Sequence, residues 1–282
     1  MSRRRPVPYT HDEGLRGFHV IMAAITALVV VVDLLFARTV HAEGLGYLLA
    51  PLPVAIPAAA LYLYCKWRRF EKFAHIVGIS LWVFTPANAI SALVQICART
   101  SAPLIDGSLA AADHWLGLST GAVVLWVAHV PHICTPLEVA YALLPLLAMS
   151  AAFIPILCGQ AQVSQKYLLQ VMLVAIMAAA LFAKWPALGP WTVYGFPPTT
   201  AQKAYISHLL FLRSLQPARI DLGSSGIITF PSCHVALAFL SALTLWRIRR
   251  IRWFAVLLGV AICLSTITTG WHYFSDGFGG MR

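Results

Sequence analysis

The stretch "TFPSCHVALAFLSALTLW", residues 229–246, decides what kind of chain this is. A proline, a serine and a histidine stand at its start. Beyond His234 no charged residue appears until Arg247. Serine ahead of an apolar run is a favoured helix N-cap, and proline suits a helix's first turn. The unpaired N–H groups of such a turn, at the positive end of the helix dipole, attract anions. The stretch reads as a helix entering an apolar medium with polar chemistry at its lip. Taken alone, its plain reading is a capped helix with an interfacial histidine.

Composition extends that reading to the whole chain. Of 282 residues, 60% are hydrophobic and only 11% are charged. A soluble domain carries about 25% charged residues, so this chain cannot coat a globule of its size. The fold class is all-α, a polytopic transmembrane helical bundle in one domain spanning residues 1–282. The net charge of +10 reads as basic cytoplasmic loops and contact with anionic lipid, not as a nucleic-acid surface. The six cysteines are scattered, with no CxxC or Cys/His spacing. They read as small buried thiols, not as disulfides or a zinc site. The N-terminus begins with Arg3, Arg4 and Arg5 and leads into a long apolar run without a small-residue cleavage site. It reads as a retained signal anchor, with residues 1–16 as a cytoplasmic tail.

A crossing helix needs about 20 mostly apolar residues. About seven stretches qualify or nearly do: 17–37, 46–65, 73–96, 136–157, 167–183, 232–246 and 253–271. A further helix begins at "DGFGG" and is cut short at Arg282. Residues 121–157 admit either one span or two. One span puts the basic clusters at 3–5, 66–72 and 247–252 on a single side, as the positive-inside rule requires. Residues 121–130 then form an interfacial or re-entrant helix. Segments 38–45, 97–135 and 185–231 face outside, and His272 emerges on the same side as His234. In a bacterial inner membrane that side is the periplasm.

The second polar cluster is "TTGWHYFSD", residues 268–276. His272 and Asp276 are four apart, so on a helical turn they share a face. A carboxylate holding one ring nitrogen leaves the other with a basic lone pair, the base-and-orienter logic of a triad. The plain alternative is an aromatic-belt end with a polar neighbour. Other polar residues invite plain readings too. Asp33 lies deep in the first span and is costly unless paired. Glu138, Asp113 and His114 suit structural pairing or headgroup contact. His129 and His132 lack a carboxylate at ligand spacing, a poor metal signal.

Together, the two clusters resemble the type-2 phosphatidic acid phosphatases, or lipid phosphate phosphatases, and their haloperoxidase relatives. "PSCH" at 231–234 resembles that family's P-S-x-H motif, with Cys233 where glycine is usual. "STITTGWHYFSD" at 265–276 resembles its S-R-x5-H-x3-D motif, with Thr266 at the arginine position. These departures, with "LIDGSLAAADHWLG" and "WPALGP", are similar to the bacterial relatives of the fungal inositol phosphorylceramide synthases. The family's K-x6-R-P motif finds only Lys184, because Trp191 and Thr192 occupy the Arg and Pro positions. Arg213, Arg219 and Lys203 are candidate replacements, although solvated loop charge is their plain reading.

The resemblance implies a phosphatase-like core over residues 104–282 and phosphoryl transfer without metal or cofactor. It assigns His272 as nucleophile, Asp276 as its orienter and His234 as general acid. Ser232, Cys233, Arg213, Arg219 and Lys184 become the substrate-binding candidates. The implied substrate is a membrane lipid phosphate or diphosphate, with water or an alcohol as acceptor. A catalytically inactive scaffold or a lipid transporter is the alternative. The topology predicts that, in a cysteine-free background, a cysteine placed within residues 213–223 reacts with an impermeant thiol reagent added outside. Labelling only from the cytoplasmic side reverses the orientation.

Overall fold

The computed structural model describes residues 11–39, 42–43, 46–220 and 227–279. Apolar runs become helices, and prolines stand at the start of several of them. The chain begins with α1 (His11–Thr39), the short α2 (Gly46–Leu49), α3 (Leu52–Trp67), α4 (Glu71–Phe84) and α5 (Ala87–Ala98). Then come α6 (Asp106–Trp115), α7 (Thr120–Ala128), α8 (Pro131–Ala142), α9 (Leu144–Leu157) and α10 (Ala161–Lys184). The remainder is α11 (Trp191–Tyr194), α12 (Thr200–Arg213), α13 (Cys233–Leu245), α14 (Arg252–Thr268) and α15 (Phe274–Gly279). A two-residue parallel bridge, β1 (Ala42–Glu43) with β2 (Ala218–Arg219), ties the region after α1 to the loop after α12.

Three segments are long and apolar enough to cross a membrane: Gly17–Ala37, Glu71–Ala98 and Ala161–Lys184. The pair α7 and α8, bent by 113°, makes a fourth if it is one span. The bend falls ahead of Pro131, where a re-entrant segment was expected from the sequence. The expected span 136–157 instead begins at Pro131 and breaks at Leu143, ahead of Pro145. Helices α3, α9, α13 and α14 are apolar but have only 16, 14, 13 and 17 residues. At 1.5 Å per residue they measure roughly 20–26 Å, short of a hydrocarbon core of about 30 Å.

The long α10 stands at the centre, packed against α9, α13, α5, α4 and α1. Its buried Tyr167, Leu168 and Met172 share one core with Ile156, Ala238, Leu245 and Ile262. Lipid tails are as apolar as leucine, so helix pairing in a membrane relies on close packing and polar links. Both are present. Tyr167 Oη lies 2.8 Å from Ser241 Oγ, which donates to the Leu237 carbonyl. Helices α13 and α14 approach so closely that a Cβ on Gly259 would stand 3.0 Å from Ala242 Cβ.

The short helices α6, α11, α12 and α15 form a cap at one end. Arginines lace its loops together: Arg99 Nη2 donates to the Gln216 carbonyl, and Arg213 Nη2 to Ala102 O at 2.7 Å. Because α13 and α14 deliver their ends to this cap, their crossing sets the distance between the two candidate histidines. Gly259→Val is therefore expected to destabilise the bundle by about 1–3 kcal/mol through overpacking. Thermal unfolding in detergent checks this, and activity should fall alongside stability.

Candidate active site

Ser232 caps α13 as its sequence suggests, its side chain accepting from Val235 N at 3.3 Å. Pro231 was expected in the first helical turn. It stands ahead of the cap instead, because α13 begins at Cys233. His234 is thus the second residue of α13. A ring stacks on it that the sequence did not single out: Tyr141 of α8, centroids 4.7 Å apart and planes 16° from parallel.

Helix α14 ends at Thr268, and two residues on Gly270, with a φ of +74°, reverses the chain. A Cβ there would also meet the Phe196 ring at 2.9 Å. Gln202 of α12, part of a Thr199–Gln202 capping box, donates to the Thr269 carbonyl at 3.1 Å and steadies the same turn. His272 follows. Its Nδ1 lies 2.6 Å from Asp276 Oδ2 and 2.8 Å from the Thr229 carbonyl. Both partners accept, so Nδ1 carries the proton and Nε2 keeps its lone pair. The i,i+4 pair was expected on one helical turn. It spans the entry to α15, with His272 two residues ahead of that helix.

Both side chains are buried, at 3% and 1% exposure. Burial pushes the Asp276 carboxyl up, while His272 and the Ser232 backbone amide draw it back. The His234 and His272 rings face each other at 5.9 Å between centroids. Two histidines on separate helix ends, one oriented by a carboxylate, can divide nucleophile and acid roles.

The loop 186–189 wires the surroundings. Thr229 Oγ1 donates to the Ala187 carbonyl. Tyr205 Oη donates to the same oxygen at 3.2 Å, and burial keeps its phenol protonated. Two carboxylates of α6, outside the expected site, hold the rest. Asp106 accepts from Leu188 N, Gly189 N and Tyr273 Oη at 2.8–3.0 Å. Asp113 accepts from Thr120 Oγ1, Phe274 N and Ser275 N at 2.6–3.1 Å. Their spacing of seven residues, two helical turns, was a legible sign that they share a face.

His272, His234, Asp276, Ser232 and Cys233 therefore meet at one place. Arg213 sits at the end of α12, bonded to Ala102 O and electrostatically close to Tyr205. Lys184 is exposed at the end of α10, over the Trp185 ring at 4.6 Å. The side chain of Arg219 lies outside the described residues. Thr266, at the family's arginine position, turns its hydroxyl to the Cys263 carbonyl of its own helix. Glu138 takes the Cys134 thiol, and Asp33 is buried with both oxygens unpartnered among the described residues. An apolar cavity of about 670 Å³ lies between α1, α5 and α10, lined by neither histidine.

The family profile of the PAP2 superfamily matches residues 107–282. The chain belongs to the PAP2 superfamily. Its members are generally phosphatases or phosphotransferases, which supports an enzyme acting by phosphoryl transfer. Superfamily membership and the apolar helices together indicate an integral membrane protein. No curated protein and no solved structure matches this PAP2-superfamily chain. The stack on His234 generates a test within it. Tyr141→Leu should slow phosphoryl transfer by roughly threefold to tenfold, the worth of one aromatic contact. Tyr141→Phe should retain the wild-type rate; equal losses in both variants would show that the stacked ring makes no contribution of its own.

Proposed function

We propose that this chain is a seven-span inner-membrane enzyme that transfers a phosphoryl group from a membrane lipid phosphate or diphosphate through a phosphohistidine. The supporting observation is the His272–Asp276 pair, held proton-inward at 2.6 Å, with His234 across from it. Residues 104–282 make up the catalytic core in this reading, and residues 1–16 the cytoplasmic tail. The four short apolar helices cross along with the three long ones, and the site opens to the periplasm.

His272 Nε2 attacks phosphorus, and the bond to the lipid oxygen breaks. His234 gives that oxygen its proton. The acceptor hydroxyl then returns a proton to His234 and attacks phosphorus, releasing Nε2. Asp276 fixes the imidazole and offsets its positive charge, as the orienting carboxylate does in a triad. Negative charge spreads over the phosphoryl oxygens in the transition state and needs positioned donors. The first-turn amides of α13 and the Ser232 hydroxyl supply them, at the dipole's positive end. With Thr266 in place of arginine, the cationic share falls to Arg213, Arg219 or Lys184. Arg213 Nη1 has no partner among the described residues.

Water as acceptor gives a lipid phosphatase. An alcohol gives headgroup transfer in the manner of inositol phosphorylceramide synthase, the branch that Cys233 and Thr266 favour. Reconstituted protein is given labelled phosphatidate, isoprenyl diphosphate or phosphoinositide, with and without ceramide, in EDTA. Turnover is expected to persist in the chelator and to fall by roughly 10³ or more in His272→Ala, the scale of losing a nucleophile. Equal turnover in that variant would sink the mechanism. No turnover on any substrate favours the scaffold or transporter. Two histidines with opposite protonation needs also predict a bell-shaped pH profile of kcat/KM.

A further inference from the structure

We propose that Asp106 and Asp113 of α6 are positioning residues for His272, a role that deepens the proposed function and rests on it for its catalytic meaning. The described part of α15 runs from Phe274 to Gly279. The first N–H groups of any helix lack partners within it, so the start of α15 depends on what accepts them. Its first two N–H groups, from Phe274 and Ser275, point at the two oxygens of Asp113, at 3.1 and 2.7 Å. Asp113 is thus an N-cap supplied by another helix. It is fully buried and is fixed in turn by the Thr120 hydroxyl at 2.6 Å.

Asp106 grips the other side of the nucleophile. Tyr273, the residue next to His272, donates its hydroxyl to Asp106 Oδ1 at 3.0 Å. Burial and the Asp106 charge keep that phenol protonated. The remaining lone pairs of Asp106 hold the amides of Leu188 and Gly189, next to Ala187, whose carbonyl anchors Thr229. Thr229 presents the second acceptor to His272 Nδ1. Ser275 Oγ adds a bond to the Leu109 carbonyl, between the two aspartates on α6. Each acceptor of the Nδ1 proton is therefore backed by one aspartate. Asp113 sets the turn that carries Asp276, and Asp106 sets the loop that anchors Thr229.

The test reads the Nδ1 proton directly. The full chain, labelled with ¹⁵N-histidine in detergent micelles, is compared as wild type, Asp113→Asn, Asp106→Asn and the milder Thr120→Val. The signal lost in His272→Ala identifies the His272 Nδ1–H. Its exchange with solvent is expected to quicken about tenfold in Asp113→Asn, the worth of a lost helix cap, and less in Thr120→Val, with helix content unchanged. Unaltered exchange in the folded variants overturns the proposal. On a turned-over substrate, kcat should fall with KM nearly constant, and Asp113→Asn combined with Asp276→Asn should be no slower than Asp276→Asn alone. Losses that multiply would mean that Asp113 acts independently of Asp276, against the proposal. A chain without turnover defeats the proposed function, while the proton-exchange arm still decides this inference.

Discussion

Everything at the cap converges on one shared proton, the Nδ1–H of His272 between the Asp276 carboxylate and the Thr229 carbonyl. The two acceptors come from opposite directions. Asp276 arrives from the chain just after the histidine, and Thr229 from the segment just before α13. A histidine held by two acceptors has one tautomer and one orientation. Loop 186–189, α6 and α12 each make bonds whose effect is to keep those acceptors in place. The contact is buried, so losing either partner would leave a polar group without water to replace it.

Much of this was legible in the residues. Scarce charge and long apolar runs announced a helical membrane protein. Ser232 read correctly as an N-cap because its local chemistry needs nothing distant. The spacing of His272 and Asp276 pointed to a hydrogen-bonded pair, although the helix containing Asp276 starts only at Phe274. The prolines were harder. Outside the open region 121–135, each apolar stretch read as a continuous span, while Pro51, Pro86 and Pro145 divide three of them into pieces. A hydropathy run records what the residues tolerate, whereas the backbone hydrogen bonds record where proline removes a donor.

The contacts that were not legible are the long-range ones. Asp106 and Asp113 belong to a segment whose polar residues read as ordinary pairing or headgroup contacts. Apart from Thr120, their partners stand more than 80 residues away along the chain, as with Asp113 and Ser275. Tyr141 likewise reaches His234 only because α8 packs beside α14, which in turn packs on α13. Such meetings depend on helix arrangement, which no local spacing encodes. Charge had a similar ambiguity. Lys184 matched the motif lysine, with Arg213 and Arg219 as replacement candidates, yet Lys184 lies exposed over Trp185 while Arg213 is tied into the cap.

The shortness of α13 and α14 has a consequence for how a lipid meets this protein. Both end at the paired histidines, and neither matches the full hydrocarbon thickness of a bilayer. A membrane accommodates such mismatch by thinning locally, at a fraction of a kcal/mol per Å. Around a chain that crosses as proposed, the leaflet dips toward the cap on the side where His272 emerges. For the lipid phosphate proposed as substrate, that dip brings the headgroup toward the imidazole while the tails stay in hydrocarbon.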